Sequence, residues 1–241
     1  MKILALDTAT PSCSVAVTDD GFLRAELTTC KNQTHSKHLM KTIDTALASA
    51  DMGVEDLDGF AVTIGPGSFT GLRIGISTIK GLAFAVDKPV VGISSLEALA
   101  WQCAERAHLI CAMLDARKAE VYCATYRFIA GRLEEQSPAC AVKPESFVRQ
   151  MKAPCVFIGS GAQLYRPKIE NIIGDLAHFR PFDSDIIRAS SVAFLSLQRF
   201  KSNDTESVAN LVPHYIRKSD AELSVAAQSG CESVPTGNSA E

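Results

Sequence analysis

The sequence predicts an α/β protein made of two similar halves, and two observations support this fold class. First, residues 59–84 contain a short apolar run, a turn rich in glycine and proline, and a segment with helical periodicity. Second, the order of strands and helices in the first half begins again near residue 109. Each half opens on an apolar strand that ends in an aspartate, Asp7 in one and Asp115 in the other.

Three strands and a helix open the first half. Residues 2–7 are apolar and residues 12–18 alternate, which predicts two strands joined to a third at 22–27 by the Asp-Asp-Gly turn at 19–21. Residues 35–50 then predict an amphipathic helix, because leucine and isoleucine recur at four-residue spacing.

A strand–helix–strand–helix run completes the first half. Residues 59–64 predict a buried strand, and residues 70–84 predict a helix whose apolar side chains share one face. Residues 89–93 predict the next strand. Ser94, with a glutamate three residues later, forms a capping box and predicts a helix that runs to about residue 106.

The second half repeats this order in a shorter form. Its three opening strands are predicted at residues 109–115, 120–128 and 132–136. The remaining predictions are a short helix, a strand, a longer helix and a final ordered segment, at residues 144–151, 155–158, 190–200 and 210–217. Between residues 159 and 190 the pattern is loose.

This duplication indicates the actin-like fold of the sugar-kinase and Hsp70 type, in which two lobes each carry a three-stranded meander extended by helix–strand–helix units. Residues 1–106 are assigned to an N-terminal lobe and residues 107–218 to a shortened C-terminal lobe. Residues 219–241 lack apolar periodicity and are expected to be mostly disordered. The two aspartates are expected to face the cleft between the lobes.

Composition limits the environment and the partners. The chain carries 24 basic and 27 acidic residues, so it lacks the net basic charge of a protein that binds nucleic acid alone. No apolar run approaches the ~18 residues of a membrane span, and the N-terminus is unlike a signal peptide. The eight cysteines are scattered without a C-x-x-C pair, which is typical of buried thiols in a reducing compartment. We therefore expect a cytoplasmic protein without membrane contact.

The turn between the strand and helix of residues 59–84 has two interpretations. Its residues are Gly65, Pro66, Gly67, Ser68, Phe69 and Thr70. Such a turn can hold a phosphate on free amides at a helix N-terminus, but the sequence matches neither a Walker A motif nor G-x-G-x-x-G. We favour a structural turn with a packing face, because Gly71 and Gly75 inside the helix would let another backbone come very close.

The two aspartates also have two interpretations. In an actin-like kinase they would lie around a nucleotide-bound metal, beside glycine-rich phosphate hairpins. Here Asp7 is followed by Thr8, and Asp115 is followed by Ala116-Arg117-Lys118. Neither turn has the glycines that let a phosphate approach the backbone. We favour acids that cap turns or pair with nearby basic residues, and we treat Asp7, Thr8 and Asp115 as remnants of a cleft.

Five segments resemble the TsaB family, also called YeaZ, in the same order along the chain. They are ILALDTAT, TIGPGSFTGLRIGISTIKGLA, ISSLEALA, LDARKAEVY and PHYIRKSDAE. The turn and the following Arg73 form the most specific part, and the resemblance runs from Met1 to about Glu222. The family is the partner of the TsaD transferase, which adds threonylcarbamoyl to N6 of the tRNA adenosine next to the anticodon.

The resemblance implies a non-catalytic subunit. It implies pairing with a TsaD-like transferase, recruitment of a TsaE-like ATPase, a homodimer when alone, and contact with tRNA only through the complex. The related transferase holds a metal on an HxxxH pair, whose places are occupied here by Ser95 and Leu99. A serine and a leucine cannot hold a divalent metal together. We expect no metal and no cofactor; the alternative is an ATP-dependent kinase or hydrolase that uses the cleft.

The resemblance also implies a four-helix contact with a partner, made by the helices at residues 35–50 and 70–84. The residues expected there are Leu39, Met40, Ile43, Leu47, Gly71, Leu72, Gly75, Ile76 and Ile79. Self-association and binding of the transferase would then compete for one surface. In the other interpretation these residues face the sheet of their own lobe, which must hold for at least half of them.

Overall fold

The first half of the chain forms a five-stranded sheet with three helices. The structure is a computed structural model that describes residues 1–30, 38–103, 108–180 and 185–217. The strands are β1 (Lys2–Asp7), β2 (Cys13–Asp19), β3 (Phe22–Thr29), β4 (Gly59–Gly65) and β5 (Val90–Ser94). The helices are α1 (Leu39–Ser49), α2 (Phe69–Val86) and α3 (Ser95–Trp101).

The second half forms another five-stranded sheet. Its strands are β6 (Leu109–Arg117), β7 (Glu120–Ile129), β8 (Arg132–Val142), β9 (Cys155–Ile158) and β10 (Ala177–Phe179). Its helices are α4 (Pro144–Val148), α5 (Ser160–Leu164), α6 (Arg166–Ile173) and α7 (Ala189–Lys201). Short 3-10 helices lie at Val54–Asp56 and Gly174–Leu176.

The two sheets have the same topology. The strand order is β3-β2-β1-β4-β5 in the first and β8-β7-β6-β9-β10 in the second. In each, three antiparallel strands form a meander, and two further strands join the first strand of that meander in parallel. This confirms the duplication and the actin-like fold class predicted from the sequence.

Helices cover both faces of the first sheet. In β1 the side chains of Ile3, Leu4, Ala5 and Leu6 are all fully buried, although successive residues of a strand point to opposite faces. α1 contacts β2 and β3, α2 contacts β4 and β5, and α7 contacts all five strands. The first sheet is therefore completed by a helix from the far end of the described chain.

Polar contacts anchor the start of α7 on the first sheet. The amide of Ala189 donates to Ser14 Oγ at 2.9 Å, and the amide of Ser190 donates to Glu26 Oε1 at 2.9 Å. Amides in the first turn of a helix have no hydrogen-bond acceptor within that helix. The side chains of Ser14 and Glu26 therefore satisfy two donors that the helix itself leaves unsatisfied. Residues 189–201 fall in the segment predicted as the second lobe, and they pack on the first sheet.

Some element boundaries differ from the sequence predictions. β8 runs to Val142, beyond the end predicted at residue 136, and includes Pro138. At the edge of a sheet a proline costs no ladder hydrogen bond on its free side. The loose region after residue 159 holds α5, α6 and β10, which are too short to show periodicity. Some predictions fall outside the described residues. They are the tail at 219–241, Lys218, the start of one predicted helix at residues 35–37 and the end of another at residues 104–106.

α2 is one helix whose length and composition alone would suit a membrane span. The sequence prediction that no apolar stretch approaches this length therefore needs correction. The helix packs on β4 and β5, and its buried face carries Leu72, Ile76, Ile79 and Ala83. Its two cations bond to other parts of the chain: Arg73 to Tyr215, and Lys80 to the carbonyls of Ala209 and Leu211. These contacts are those of a core helix in a folded lobe.

Candidate functional site

The start of α2 is held against the turn that follows β1. Ser68 caps the helix, because its Oγ accepts from the amide of Gly71 at 3.2 Å. The amide of Ser68 donates to the carbonyl of Ala9 at 2.7 Å. These two amides, which could have contacted a phosphate, are thus bonded inside the chain. The geometry agrees with the structural turn that the sequence analysis favoured.

Glycines in the motif turn and in α2 make this contact possible. A Cβ atom at Gly67 would collide with the carbonyl of Ala9, and one at Gly71 with the carbonyl of Thr8. One at Gly75 would collide with Thr8 Oγ1, which instead donates to the carbonyl of Gly71 at 2.7 Å. The close backbone approach expected there is present at Gly71, whereas at Gly75 the approaching group is the Thr8 hydroxyl; both groups belong to the same lobe.

We expect Gly71→Ala and Gly81→Ala to have opposite effects, although both sit in α2. Gly71→Ala places a methyl group on the Thr8 carbonyl and should lower the free energy of unfolding by several kcal/mol. Gly81 has open space around it, so Gly81→Ala should raise that energy by roughly 1 kcal/mol through helix propensity. Urea denaturation of both variants measures this, and equal effects would contradict the packing described.

Asp7 lies at the centre of the same contact and is fully buried. Its Oδ1 accepts from Thr63 Oγ1 at 2.6 Å and from the amide of Ala9 at 3.1 Å. Among the residues that the structure describes, its Oδ2 has no hydrogen-bond partner. Burial raises the pKa of Asp7 to about 7, although the two hydrogen bonds pull the pKa downward.

Asp115 is the counterpart of Asp7 in the second half, and its surroundings differ. Both acids cap their own turn in the same way, since Asp115 Oδ1 accepts from the amide of Arg117 at 2.9 Å. Asp115 is exposed, whereas Asp7 has no access to solvent. The two carboxylates are therefore not an accessible pair that could surround a nucleotide-bound metal, and the turn-capping interpretation describes both.

The buried carboxyl of Asp7 predicts a dependence of stability on pH. Its pKa is raised from 3.8 to about 7 by folding, so its contribution to stability is complete below about pH 4 and is lost as the pH rises through 7. Relative to Asp7→Asn, the free energy of unfolding of the unaltered protein should fall by up to about 1.4 kcal/mol per pH unit over that range.

Denaturation curves of the unaltered protein and Asp7→Asn at several pH values measure this difference. Asp115→Asn, which changes the exposed counterpart, is the matched control. Parallel pH profiles for the unaltered protein and Asp7→Asn would show that no buried carboxyl titrates on unfolding.

A C-terminal strap, residues 207–217, joins the start of α2. The ring of Tyr215 stacks on Phe69 with centroids 4.5 Å apart, and the Arg73 guanidinium lies 4.0 Å above the Phe69 ring. Arg73 Nε donates to the hydroxyl of Tyr215 at 3.2 Å. Two of the motif segments, distant in sequence, therefore meet in space. No role was predicted for Tyr215 from the sequence. The feature that could have indicated its contact was an aromatic residue within a segment predicted to be ordered.

The strap also reaches the second sheet. The amide of His214 donates to the carbonyl of Ile64 at 2.7 Å, at the end of β4. Two residues beyond Tyr215, Arg217 donates to Glu120 Oε2 at 3.0 Å, at the start of β7. The strap thus links the turn region of the first sheet to the second sheet.

Most residues expected at a partner interface lie in the core of the first lobe. Those that are buried are Leu39, Ile43, Leu47, Gly71, Leu72, Gly75, Ile76 and Ile79. Only Met40, 48% exposed, is accessible. The identity of these contact residues therefore needs correction, since apolar residues at helical spacing first fill the groove over their own sheet. Whether the helices contact a partner stays a prediction.

The outward faces of α1 and α2 are the surface that a partner could reach. Phe84 on α2 is 80% exposed and is one of several large apolar side chains that reach the surface. Small residues, Ser77, Gly81 and Ala85, are exposed on the same helix at four-residue spacing. Together with Met40 of α1 they define what we call the outer helical surface.

The fold is that of a duplicated actin-like protein. In its first lobe the start of α2 packs directly on the turn between β1 and β2. The family model "TsaD: tRNA N6-adenosine threonylcarbamoyltransferase" matches residues 29–225. Two curated relatives are named tRNA threonylcarbamoyladenosine biosynthesis protein TsaB. That from Bacillus subtilis is 33% identical over 92% of this chain and 96% of its own; that from Escherichia coli is 31% identical over the same shares. The chain therefore belongs to the TsaB (YeaZ) family.

A solved structure gives the same result. A Pseudomonas aeruginosa protein described as similar to the peptidase YeaZ superposes with a TM-score of 0.78. It is 27% identical, and the match covers 90% of this chain and 99% of that one. In the present chain Ser68, the serine of the motif turn, caps α2 through its hydroxyl.

Proposed function

We propose that this chain is a non-catalytic subunit needed for threonylcarbamoyl transfer to N6 of the tRNA adenosine next to the anticodon. It acts by pairing with a TsaD-like transferase through the outer helical surface, and a TsaE-like ATPase joins the pair. Alone, it forms a homodimer through the same surface, and it reaches tRNA only through the complex. The observation that carries this proposal is the family membership, together with a motif turn whose Ser68 and Gly71 amides are bonded within the chain.

The place of the transferase's metal supports a non-catalytic role. Ser95 and Leu99 occupy that place in the first turns of α3, and both are fully buried. Leu99 contributes to the apolar core between the sheets, near Gly159. A hydroxyl and an aliphatic side chain supply none of the nitrogen, thiolate or carboxylate ligands that a divalent metal requires.

The kinase or hydrolase alternative requires an accessible acid beside a phosphate-binding turn. Asp7 is buried beneath that turn, and the amides of Ser68 and Gly71 are used within the chain. No observation in the described residues favours this alternative over the subunit role.

The outer helical surface supports the proposed pairing because it is exposed and partly apolar. The row of small residues Ser77, Gly81 and Ala85 would also let another helix come close. A glutamate at Phe84 would be hydrated in the isolated chain but desolvated in a contact, which costs several kcal/mol. A buried position is unsuitable for this test. Ile76 is only 4% exposed, so Ile76→Glu should unfold the chain itself.

We expect Phe84→Glu to leave the fold intact and to weaken both self-association and binding of the transferase, each by at least tenfold in Kd. Leu164→Glu is the matched control, because Leu164 is 57% exposed but lies on α5 beside the second sheet. Sedimentation velocity and circular dichroism measure both variants. Normal association of a folded Phe84→Glu variant would place the interface elsewhere.

The cellular role predicts a change in tRNA composition. Depleting the protein should lower threonylcarbamoyladenosine in tRNAs that read codons beginning with A, as measured by mass spectrometry of digested tRNA. The unaltered protein and Leu164→Glu should restore the nucleoside, and Phe84→Glu should not. Unchanged nucleoside after depletion would reject the proposed function.

A further inference from the structure

Four thiols lie across adjacent strands of the second sheet. Cys155 is on β9, Cys111 on β6, Cys123 on β7 and Cys140 on β8. The first three are fully buried in or beside the apolar cluster of this lobe, and Cys140, on the edge strand, is partly exposed. Within the described ranges no three histidine, cysteine or acidic residues are grouped as metal ligands.

Cys123 and Cys140 face each other directly across β7 and β8. Their Sγ atoms are 3.8 Å apart. Residues directly opposite each other in an antiparallel pair have Cα atoms about 4.5–5.5 Å apart, which falls within the ~4.4–6.8 Å that a disulfide spans. Rotation of the two side chains can bring the sulfur atoms to bonding distance without a movement of the strands.

Cys111 and Cys155 are also neighbouring thiols of this sheet, linked by a side-chain hydrogen bond. They lie on the parallel strands β6 and β9, where Cys155 is opposite Leu109 rather than Cys111. Both are fully buried, so a small oxidant in water has no direct access to either sulfur.

We propose that Cys123 and Cys140 form an oxidative modification site, which closes an intramolecular disulfide in the presence of a small disulfide oxidant such as glutathione disulfide. Cys140 reacts first because it is the partly exposed member: its sulfur loses a proton and attacks glutathione disulfide, which releases one glutathione. The sulfur of Cys123 then loses its proton and attacks Cys140 in the mixed disulfide, which releases the second glutathione. Two protein thiols are oxidised and one glutathione disulfide is reduced to two glutathione thiols.

The order of these steps follows from burial. Burial, reinforced by the neighbouring Cys140, raises the pKa of the Cys123 thiol well above its usual range. Cys123 is thus a poor nucleophile toward an oxidant in solution, but it lies beside the sulfur that it must attack, and proximity offsets low reactivity. The product ties the edge strand β8 to β7 and leaves the outer helical surface unchanged.

The test uses the full chain, reduced, freed of reductant and incubated with glutathione disulfide. After alkylation of the remaining thiols, peptide mass spectrometry without reductant should find Cys123 linked to Cys140. Cys30, which is exposed, should carry glutathione and so shows that the oxidant acted. Oxidation should also raise Tm by several degrees, and reductant should reverse both changes.

Two variants keep the test decisive. Cys140→Ser changes a partly exposed side chain and should abolish the link and the rise in Tm. Cys111→Ala changes a neighbouring buried thiol and should leave the link in place wherever the variant folds. Alkylation of both Cys123 and Cys140 after Cys30 has reacted, or a lasting glutathione adduct on Cys140 with Cys123 still free, would overturn the proposal.

Discussion

The contact between the β1–β2 turn and the start of α2 is the constraint on which the first lobe depends. Three glycines, Gly67, Gly71 and Gly75, present bare backbone to Thr8 and Ala9, and any side chain there would collide with them. Backbone and hydroxyl hydrogen bonds then replace the contacts that side chains would have made. The glycine content of the motif costs helix propensity, and the close packing offsets that cost.

This contact has chemical consequences. It buries Asp7 completely and uses amides at the helix start that could otherwise bind an anion. It also fixes Phe69 and Arg73 so that the C-terminal strap can dock through Tyr215. The same helix therefore organises the lobe on its inner face and leaves its outer face open. That division supports the proposed role of a subunit that works through a partner.

Much of the fold was predictable because long periodic segments and repeated strand patterns are set by local sequence. The repeat of a meander opening on an apolar strand that ends in aspartate was sufficient to predict the duplicated topology that the sheets confirm. Short elements such as β10 and α5 carry too few residues for periodicity to show. β8 extends past its predicted end through Pro138, which an edge strand tolerates.

The candidate site was harder to predict because burial depends on neighbours that are distant in sequence. The apolar stripes of α1 and α2 were predicted from the spacing of their residues. Sequence alone could not show whether such a stripe packs on its own sheet or on a partner, and the structure buries it on the sheet. The glycines correctly indicated a close approach, and only the fold identified Thr8 as the approaching group. The stacking of Tyr215 on Phe69 left no local pattern, since it joins residues that are distant in the sequence.

The central claim is that this chain supports threonylcarbamoyl transfer without performing it. The most direct measurement reconstitutes the reaction from the purified transferase, the ATPase, tRNA and the threonylcarbamoyl donor, with and without this chain. The account predicts repeated transfer only when this chain and the transferase are both present, and no transfer or ATP turnover by this chain alone. Transfer at the full rate without this chain, or turnover of ATP by the isolated chain, would contradict it.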